Sequence, residues 1–458
     1  MKNKNEQFKN IFRFFIIFTL VISQVAVFSY FWLTYYNEQI VFPFYRKGHI
    51  FFYIVYVLLL FIFLKSFDGL KYSTYRKANI ITAQVLATVT TLFIIYLQIV
   101  LLAAGFVSPL PLIRALVIDA ILIFVIALLG DFILKKLFPA RKTLLVWDVY
   151  PPDDFLKKLN TRKDKFDIFK VVNVSVGFDE IEALIKQVQA VVVYDVHAEN
   201  RNRVIKCCYE NDVRSYCTTK VSDILIRSSK TLYMLDTPLL LNRNAGLGIE
   251  QRFAKRSFDI IFSLLLLILA SPFMLISAIL IKLYDGGPVL FRQARGTIGG
   301  KVFFIHKFRS MIVDAETDGA KPAEENDSRI TPVGKFLRAT RLDELPQLID
   351  ILVGNMSFVG PRPERVEHIK QYNEEIPEFS FRLKVRGGLT GFAQLYGKYN
   401  TTPYDKLQLD LMYIENYSIF LDLKLLLMTV KIMFMKESTE GFTKEKSEKI
   451  NKKSKEEK

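Results

Sequence analysis

Long apolar runs are the feature that most restricts how this chain can fold. A helix of about 20 residues crosses the ~30 Å hydrocarbon core of a bilayer, and four runs in the first 136 residues reach that length. They lie at about Phe14–Tyr36, Gly48–Phe67, Ile80–Val107 and Leu110–Leu134. The first run is long and no small-residue cleavage site follows it, so we expect an anchor rather than a signal peptide. The sequence predicts a four-helix transmembrane region over residues 1–136.

The charge of the chain supports a membrane protein. Its 62 Lys and Arg residues exceed the 46 Asp and Glu residues, for a net charge of +16, yet 51% of the residues are apolar. This combination excludes a disordered chain and argues against a nucleic-acid binder. Basic residues are concentrated at the N-terminus, in the second loop and after the fourth run, which predicts that these parts face the cytoplasm. They are Lys2, Lys4, Lys9, Arg13, Lys71, Arg76, Lys77, Lys135, Lys136, Arg141 and Lys142.

Asp119, about two and a half turns into the fourth run, is the clear intramembrane acid. Acids within a membrane mark ion paths in transporters. A single acid more often pairs locally, and Arg114 is the nearest candidate partner in sequence. The sequence favours the local pair and leaves transport as an alternative.

The segment 137–250 changes to short β-branched runs that alternate with polar helical stretches. This alternation predicts a small Rossmann-like α/β accessory domain. The turn after its first strand, Tyr150–Asp154, lacks the glycines that let a backbone approach a pyrophosphate. A structural or regulatory role is therefore favoured over nucleotide binding. The predicted strands are Thr143–Val149, Phe169–Val174, Ala190–Val196, Val213–Thr218 and Thr231–Leu235, and the predicted helices are Asp179–Val188 and Asn200–Tyr209. The three cysteines (Cys207, Cys208 and Cys217) have no metal-site spacing and are predicted to be reduced thiols.

A fifth apolar run, Ser257–Ile281, is also long enough to span a membrane. Ser271-Pro272 lies at its middle, where proline removes a backbone donor and kinks a helix. Both flanks are basic, so a crossing would place a cationic region outside the cell, against the positive-inside bias. We expect a re-entrant helix that bends at Ser271 and Pro272 and returns to the cytoplasmic face. A proline-kinked span is the alternative.

Near the C-terminus, Phe420–Met435 is apolar apart from Asp422, Lys424 and Lys431. It is predicted either to lie in the membrane surface or to pack in the core. The tail 436–458 is rich in Lys and Glu and is predicted to be disordered.

The stretch from Arg338 to Leu348 is the most informative for chemistry. Proline is accepted in the first turn of a helix, so Pro346 predicts a helix from about Glu344 to Val353, with Asp343 as its cap. Two adjacent carboxylates beside arginines can hold a divalent cation and phosphates together. Hard oxygen ligands indicate Mg²⁺ or Mn²⁺. A capping aspartate followed by a first-turn glutamate is the simpler interpretation.

Two further clusters carry arginine in a restrained backbone. Gly360–Arg365 holds Arg362 between two prolines, which suits a guanidinium that meets a phosphate in fixed geometry. Lys384–Gly391 is a basic glycine-rich loop that contains Arg386. Each cluster alone is a weak signal.

From about Lys255 to Phe434, the sequences and the order of these motifs resemble the bacterial sugar transferase family. Its members are monotopic polyprenyl-phosphate glycosyl-1-phosphate transferases. With the helices and the α/β module in front, the chain resembles the long form of that family from capsule and exopolysaccharide pathways. The matching residues are Lys255-Arg256, Asp259, Ser271-Pro272, Gly287-Pro288-Val289, Lys307–Met311, Leu342–Leu348, Gly360–Pro363 and Thr390-Gly391. The resemblance implies a mostly helical monotopic catalytic domain over 251–435, with the re-entrant helix at 257–281.

The resemblance also implies a reaction at the inner membrane, with the catalytic domain on the cytoplasmic face. A UDP-sugar gives its sugar-1-phosphate to undecaprenyl phosphate and UMP is released. Asp343 corresponds to the family's nucleophile, which forms a phosphosugar-aspartyl intermediate, and Glu344 is its partner as a base or a metal ligand. Both would bind Mg²⁺ (or Mn²⁺). Arg338, Arg362 and Arg386 are the candidates for phosphate contacts, with Lys307 and Arg309 as weaker ones.

Two other classes remain as alternatives: a flippase of lipid-linked sugar, which would need more spans, and a non-catalytic scaffold. Many family members have proline where this chain has Gly387, which leaves the loop position and the donor preference open. The transferred sugar and a homo-oligomeric state are also open.

Overall fold

The apolar runs form long helices in the computed structural model, which describes residues 8–234, 236–242, 246–313, 327–397 and 401–433. Five helices within these residues are long and apolar enough to cross a membrane. Four of them precede the first strand, and the first continues as one π-helical turn to Tyr36. Their bounds are α1 (Lys9–Phe31), α2 (Lys47–Ser66), α3 (Lys77–Ala103) and α4 (Leu110–Leu137). Lys2, Lys4 and the tail 436–458 lie outside the described residues.

Asp119 is fully buried on α4. Neither of its carboxylate oxygens has a hydrogen-bond partner among the described residues. The predicted pair with Arg114 is therefore wrong.

The chain divides into two compact units, residues 1–218 and 219–458. The four-part domain division stays a prediction, as does the Rossmann-like character of the middle segment. After α4, the first unit contains a parallel sheet of four strands in the order β2-β1-β3-β4, with helices between the strands. These elements are β1 (Arg141–Trp147), α5 (Asp153–Asn160), β2 (Phe166–Asn173), α6 (Phe178–Ile185), β3 (Ala190–Tyr194), α7 (Ala198–Glu210) and β4 (Arg214–Cys217).

β-branched residues fill the central strands of this sheet because both of its faces are covered. Val191 and Val193 of β3 pack with Leu144 and Val146 of β1 in one apolar core. The predicted fifth strand, Thr231–Leu235, does not join the sheet. It forms β5 (Lys230–Leu232), which pairs antiparallel with β6 (Leu239–Leu241) in the second unit.

The second unit also holds the longest helix of the described chain. Residues from its helices and from two short sheets form its main apolar core. Its remaining elements are α8 (Val221–Arg227), α9 (Ile249–Asp285), β7 (Leu290–Gly296), β8 (Val302–Phe308), α10 (Pro332–Ala339), α11 (Gln347–Val353), β9 (Ser357–Val359), α12 (Val366–Glu375), β10 (Gly388–Thr390), α13 (Phe392–Tyr396), α14 (Pro403–Glu415) and α15 (Ile419–Met433).

Helix α9 contains the fifth apolar run and continues through Pro272 without a break in its helical assignment. Its first half is tied to α11, where Arg256 donates hydrogen bonds to the carbonyls of Ile351 and Leu352. Its last residue, Asp285, forms an ion pair with Arg309, which directly follows β8. The bend at Ser271 and Pro272 stays a prediction.

Helix α15 contributes both to the core and to a buried ion pair. Asp422 binds Lys255 of α9 at 2.6 Å and accepts a hydrogen bond from Tyr413. Leu425 is fully buried, whereas Phe420 is 80% exposed. Core packing therefore accounts for one face of this helix.

Candidate active site

The acid pair lies in a 3₁₀ turn, Leu342–Glu344, rather than at the start of an α-helix. Arg341 before it is left-handed, with φ 59°, and reverses the chain after α10. Helix α11 begins only at Gln347, with Pro346 at its cap position. The predicted helix start near Glu344 and the capping role of Asp343 are therefore wrong. In this turn Glu344 contacts Lys307 of β8, and neither acid lies at an exposed helix end.

Asp343 is buried, with 9% of its surface exposed. Its Oδ1 has no hydrogen-bond partner among the described residues. Burial raises the pKa of this carboxyl, and the adjacent Glu344 raises it further, whereas Lys307, Arg338 and Arg341 act in the opposite direction. The result is a buried carboxylate that is more basic than an ordinary aspartate and keeps one oxygen without a partner among the described residues.

Glu344 has the opposite electrostatic character. Lys307 on β8 donates a hydrogen bond to its Oε1 at 3.0 Å, and Arg362 Nη2 lies 3.6 Å from the same oxygen. Burial alone would raise the pKa of Glu344, but these two cations outweigh it and lower the pKa to about 2. Burial in turn lowers the pKa of Lys307. Glu344 is thus ionised at every physiological pH.

Arg362 is positioned by a buried arginine that the sequence analysis did not single out. Arg382, 2% exposed, donates a hydrogen bond to the backbone carbonyl of Arg362 at 2.9 Å. Its guanidinium is held by Asp410 at 2.7 Å and lies 3.8 Å from Glu364. Arg382 belongs to a short 3₁₀ segment with no motif of its own, so nothing in the local sequence marks it.

The two arginine-bearing clusters predicted from sequence are brought together by the parallel pair β9 and β10. Gly360 donates its amide to Thr390, and Gly388 donates to the carbonyl of Pro361. A Cβ on Gly387 would lie 2.5 Å from the ring of Pro363, so this glycine gives the Pro-Arg-Pro segment the space it occupies.

The remaining predicted phosphate ligands occupy different surroundings. Arg338 on α10 donates a hydrogen bond to Ser310 at 2.9 Å and acts electrostatically on Asp343. Arg309 is buried and forms an ion pair with Asp285, so its charge already has a partner. Arg386 acts on Arg256 of α9, and no contact within the described residues links it to the acid pair. The sequence analysis did not identify Asp285 as a partner for Arg309.

A further buried contact braces the strand that carries Lys307. Asp350 at the start of α11 accepts hydrogen bonds from the backbone amide of His306 at 2.9 Å and contacts its ring nitrogen at 2.7 Å. The strand that carries Lys307 is thus joined to α11, the helix that follows the turn with Glu344.

The site offers part of the ligand set that a divalent cation needs. Mg²⁺ is commonly bound through one or two carboxylates plus substrate phosphates, and the unpartnered Oδ1 of Asp343 fits one such position. No group of three or more His, Cys, Asp or Glu side chains is placed to hold a metal in the part of the chain that the structure describes. The residues fit a cation that completes its coordination on the substrate.

Comparison with known proteins identifies the region that holds this site. Residues 250–436 match the family description "Bacterial sugar transferase". Over 196 residues (42% of this chain) the chain is 46% identical to a UDP-glucose:undecaprenyl-phosphate glucose-1-phosphate transferase of Klebsiella pneumoniae, and over 182 residues (39%) it is 42% identical to a UDP-N-acetylgalactosamine-undecaprenyl-phosphate N-acetylgalactosaminephosphotransferase of Aeromonas hydrophila. The matches span 42% and 43% of those two proteins.

A shorter relative is covered almost completely. The chain is 41% identical over 185 residues (38% of this chain) to the exopolysaccharide production protein PSS of Rhizobium leguminosarum bv. phaseoli, and the match spans 92% of that protein. The region that matches the family, residues 250–436, contains the acid pair, Lys307 and both arginine-bearing clusters.

Proposed function

Because the chain belongs to the bacterial sugar transferase family, we propose that it transfers sugar-1-phosphate from a UDP-sugar to undecaprenyl phosphate and so starts a lipid-linked exopolysaccharide or capsule. The observation that carries the proposal is the acid pair itself. Asp343 is buried with an unpartnered oxygen, next to a glutamate that two cations keep ionised.

Asp343 is the nucleophile of the proposed reaction. Its carboxylate attacks the β-phosphorus of the donor, the phosphoanhydride bond breaks, and UMP leaves with the bonding electrons. The resulting phosphosugar-aspartyl bond is then attacked by an oxygen of the lipid phosphate, which releases Asp343. A raised pKa favours this role because the intrinsic nucleophilicity of a group falls as its pKa falls.

Glu344 acts as a fixed negative charge rather than as a general base. A carboxylate with a pKa of about 2 is a poor proton acceptor near neutral pH. Its ion pairs instead hold Lys307 and Arg362 beside Asp343. Placed there, these cations stabilise the negative charge of the donor phosphates.

Asp343 and Glu344 are the residues that would hold Mg²⁺. When bound, the ion neutralises the diphosphate and makes UMP a better leaving group. Arg338 and Arg362 are the proposed phosphate contacts of the protein itself.

We propose that both ends of α9 lie on the cytoplasmic face, so that the site is at the inner leaflet. Residues 256 and 285 would be about 43 Å apart in a straight helix. Yet Arg256 binds α11 and Asp285 binds Arg309 next to β8, while β8 and α11 contact each other through His306 and Asp350. A crossing would place two contacting elements on opposite sides of the bilayer, whereas a bend at Pro272 avoids this.

The test uses the full chain in nanodiscs that contain undecaprenyl phosphate, supplied with a panel of UDP-sugars. The proposal requires UMP and lipid-linked product from at least one donor, and neither from Asp343→Asn. Mass spectrometry of protein quenched during turnover should find the sugar phosphate on Asp343. Turnover by Asp343→Asn at the parent rate, or an adduct on another side chain, would contradict the assignment.

Asp179→Asn is the matched control. Asp179 and Glu180 form a second Asp-Glu pair in the first turn of α6, where both are exposed. This variant should keep full activity.

A further inference from the structure

A group of basic side chains in the first unit takes no part in the proposed reaction. Lys9 and Arg13 lie one turn apart at the start of α1 and interact electrostatically with Lys165 and Arg214 at the ends of the sheet. Arg141 at the start of β1 interacts in the same way with Arg214. We call these five residues the junction cluster.

The contacts of the cluster join three segments of the chain. Arg13 Nη2 donates a hydrogen bond to Ser73 Oγ in the loop between α2 and α3 at 2.8 Å. Lys165 Nζ donates to the carbonyl of Thr74 in the same loop at 3.2 Å. Arg13 Nε is buried and has no hydrogen-bond partner among the described residues. The cluster is therefore built into the fold, with a donor left over.

More positive than negative charge acts on Lys9, Arg13 and Lys165. Arg214 acts electrostatically on both Lys9 and Arg13. The carboxylate that acts on Lys9 and Lys165 is Asp164, and both of its oxygens already accept hydrogen bonds from Arg162.

The pKa of Lys165 reflects its burial and, to a smaller extent, the neighbouring cations. Burial lowers the pKa of Lys165 to about 8, with Arg162, Lys9 and Arg13 adding to this effect and Asp164 opposing it. Cations held together in this way are favourable places for an anion.

An apolar crevice lies beside the cluster. It has a volume of about 360 Å³ and is lined by Phe8, Phe12, Leu137 and Phe138. Phe138 connects the crevice to the cluster, since Lys9 Nζ lies 5.4 Å from the centre of its ring. Both features therefore lie at the α1 start and the α4 end, next to one another.

We propose that the junction cluster binds the phosphate group of an anionic phospholipid, with part of an acyl chain in the crevice. An inorganic anion would use the cations but not the apolar wall, so the crevice favours a lipid. Basic groups at the cytoplasmic ends of membrane helices attract anionic headgroups. α1 and α4 are both long and apolar enough to cross the membrane, and the ends concerned are those that carry the basic residues. The site does not depend on the transferase reaction.

Binding is measured with the full chain in nanodiscs of phosphatidylcholine, titrated with fluorescent phosphatidylglycerol. Each basic residue near a membrane surface contributes about 1 kcal/mol to the binding of anionic lipid. The double variant R13Q/K165Q, which loses two such residues, should therefore bind phosphatidylglycerol about 30-fold more weakly than the parent. The matched control K157Q/K186Q removes two exposed lysines of the same unit, each paired with an acid, and should bind like the parent.

The variant R13K/K165R keeps the charge and should retain binding. Equal binding by the parent and by R13Q/K165Q would overturn the proposal. Displacement of the lipid by millimolar inorganic phosphate would also overturn it, because the site would then be one for free phosphate.

A measurement on the parent chain does not depend on the folding of any variant. Lys165 has a low pKa, so its amine should be reductively methylated readily at pH 8. Phosphatidylglycerol in the nanodisc should slow this methylation several-fold compared with phosphatidylcholine alone. Lys157 should react equally in both, and equal rates at Lys165 would overturn the proposal.

Discussion

The chain contains the same dipeptide in two different settings. Asp179-Glu180 lies in the first turn of α6, and both residues are exposed. Asp343-Glu344 forms most of a 3₁₀ turn, with Asp343 buried. Each glutamate also binds one lysine at nearly the same distance: Lys170 at 3.1 Å from Glu180 and Lys307 at 3.0 Å from Glu344.

The two pairs differ in what surrounds them. The side chains of Glu180 and Lys170 are 49% and 47% exposed, against 16% and 21% for Glu344 and Lys307. Water screens the first ion pair, while the second acts in a low dielectric, where charges a few ångströms apart shift each other's pKa. Neither the Asp-Glu dipeptide nor its ion pair with lysine is enough to identify the site. What distinguishes Asp343 and Glu344 is their burial together with the cations that surround them.

The largest expected difference between the two pairs is in activity. Asp343→Asn should reduce turnover by about 10⁴-fold, as expected when a nucleophile is removed, while Asp179→Asn changes nothing. Because burial disfavours the ionised form of Asp343, the asparagine variant should be at least as stable as the parent. UMP release and thermal unfolding of both variants check this. A loss of activity that follows a loss of stability would point to misfolding instead.

The next effect concerns stability and its pH dependence. An ordinary glutamate titrates near 4.5 and Glu344 at about 2, which corresponds to on the order of 3 kcal/mol of stability. This stability is present above pH 4.5 and is lost as the pH falls toward 2. Glu344→Gln should therefore lower the unfolding temperature at pH 7, by an amount that shrinks below pH 4.5.

The same variant should change the pH dependence of turnover. Removing the Glu344 charge lowers the pKa of Asp343, because Glu344 is one of the causes that raise it. The acidic limb of kcat/KM should shift to lower pH. Glu180→Gln, the control, should leave this limb unchanged and alter stability by less than about 0.5 kcal/mol.

A third variant tests whether donor binding requires Arg362 to be held in a fixed position. Arg382→Lys keeps a charge near Asp410 but loses the hydrogen bond to the carbonyl of Arg362. We expect about a tenfold increase in KM for the UDP-sugar, because Arg362 would no longer be held in place to contact a donor phosphate. A tenfold change corresponds to about 1.4 kcal/mol of lost donor binding. Steady-state kinetics with varied donor measure it. A fall in stability with an unchanged KM would indicate a purely structural role.

The smallest effect is a difference in coupling between the two ion pairs. Double-mutant cycles with Lys→Met and Glu→Gln should give about 1–2 kcal/mol for Lys307 and Glu344, but only about 0.2–0.5 kcal/mol for Lys170 and Glu180. Chemical denaturation in mixed micelles measures both cycles. Equal coupling would show that burial does not distinguish the pairs.

Hydropathy alone predicted the long helices to within a few residues at most ends. The apolar run Gly48–Phe67 became α2 (Lys47–Ser66), and Ala190–Val196 became β3 (Ala190–Tyr194). Such elements can be predicted from local hydrophobic periodicity. Each one has an apolar face that must leave water, and this requirement is the same whichever part of the protein or membrane covers that face. The sequence also singled out Asp343, Glu344, Lys307 and Arg362, which the structure places within one group.

Tertiary structure alone decided how those residues act. The left-handed Arg341 and the 3₁₀ turn replaced the predicted helix start, and Arg309 was assigned to Asp285 instead of the acid pair. Arg382 became visible only through contacts with Arg362, 20 residues away, and with Asp410, 28 residues away. The sequence states the chemical type of each residue. The pKa and the partners of that residue depend on its burial and on charges from distant parts of the chain, and only folding brings these together.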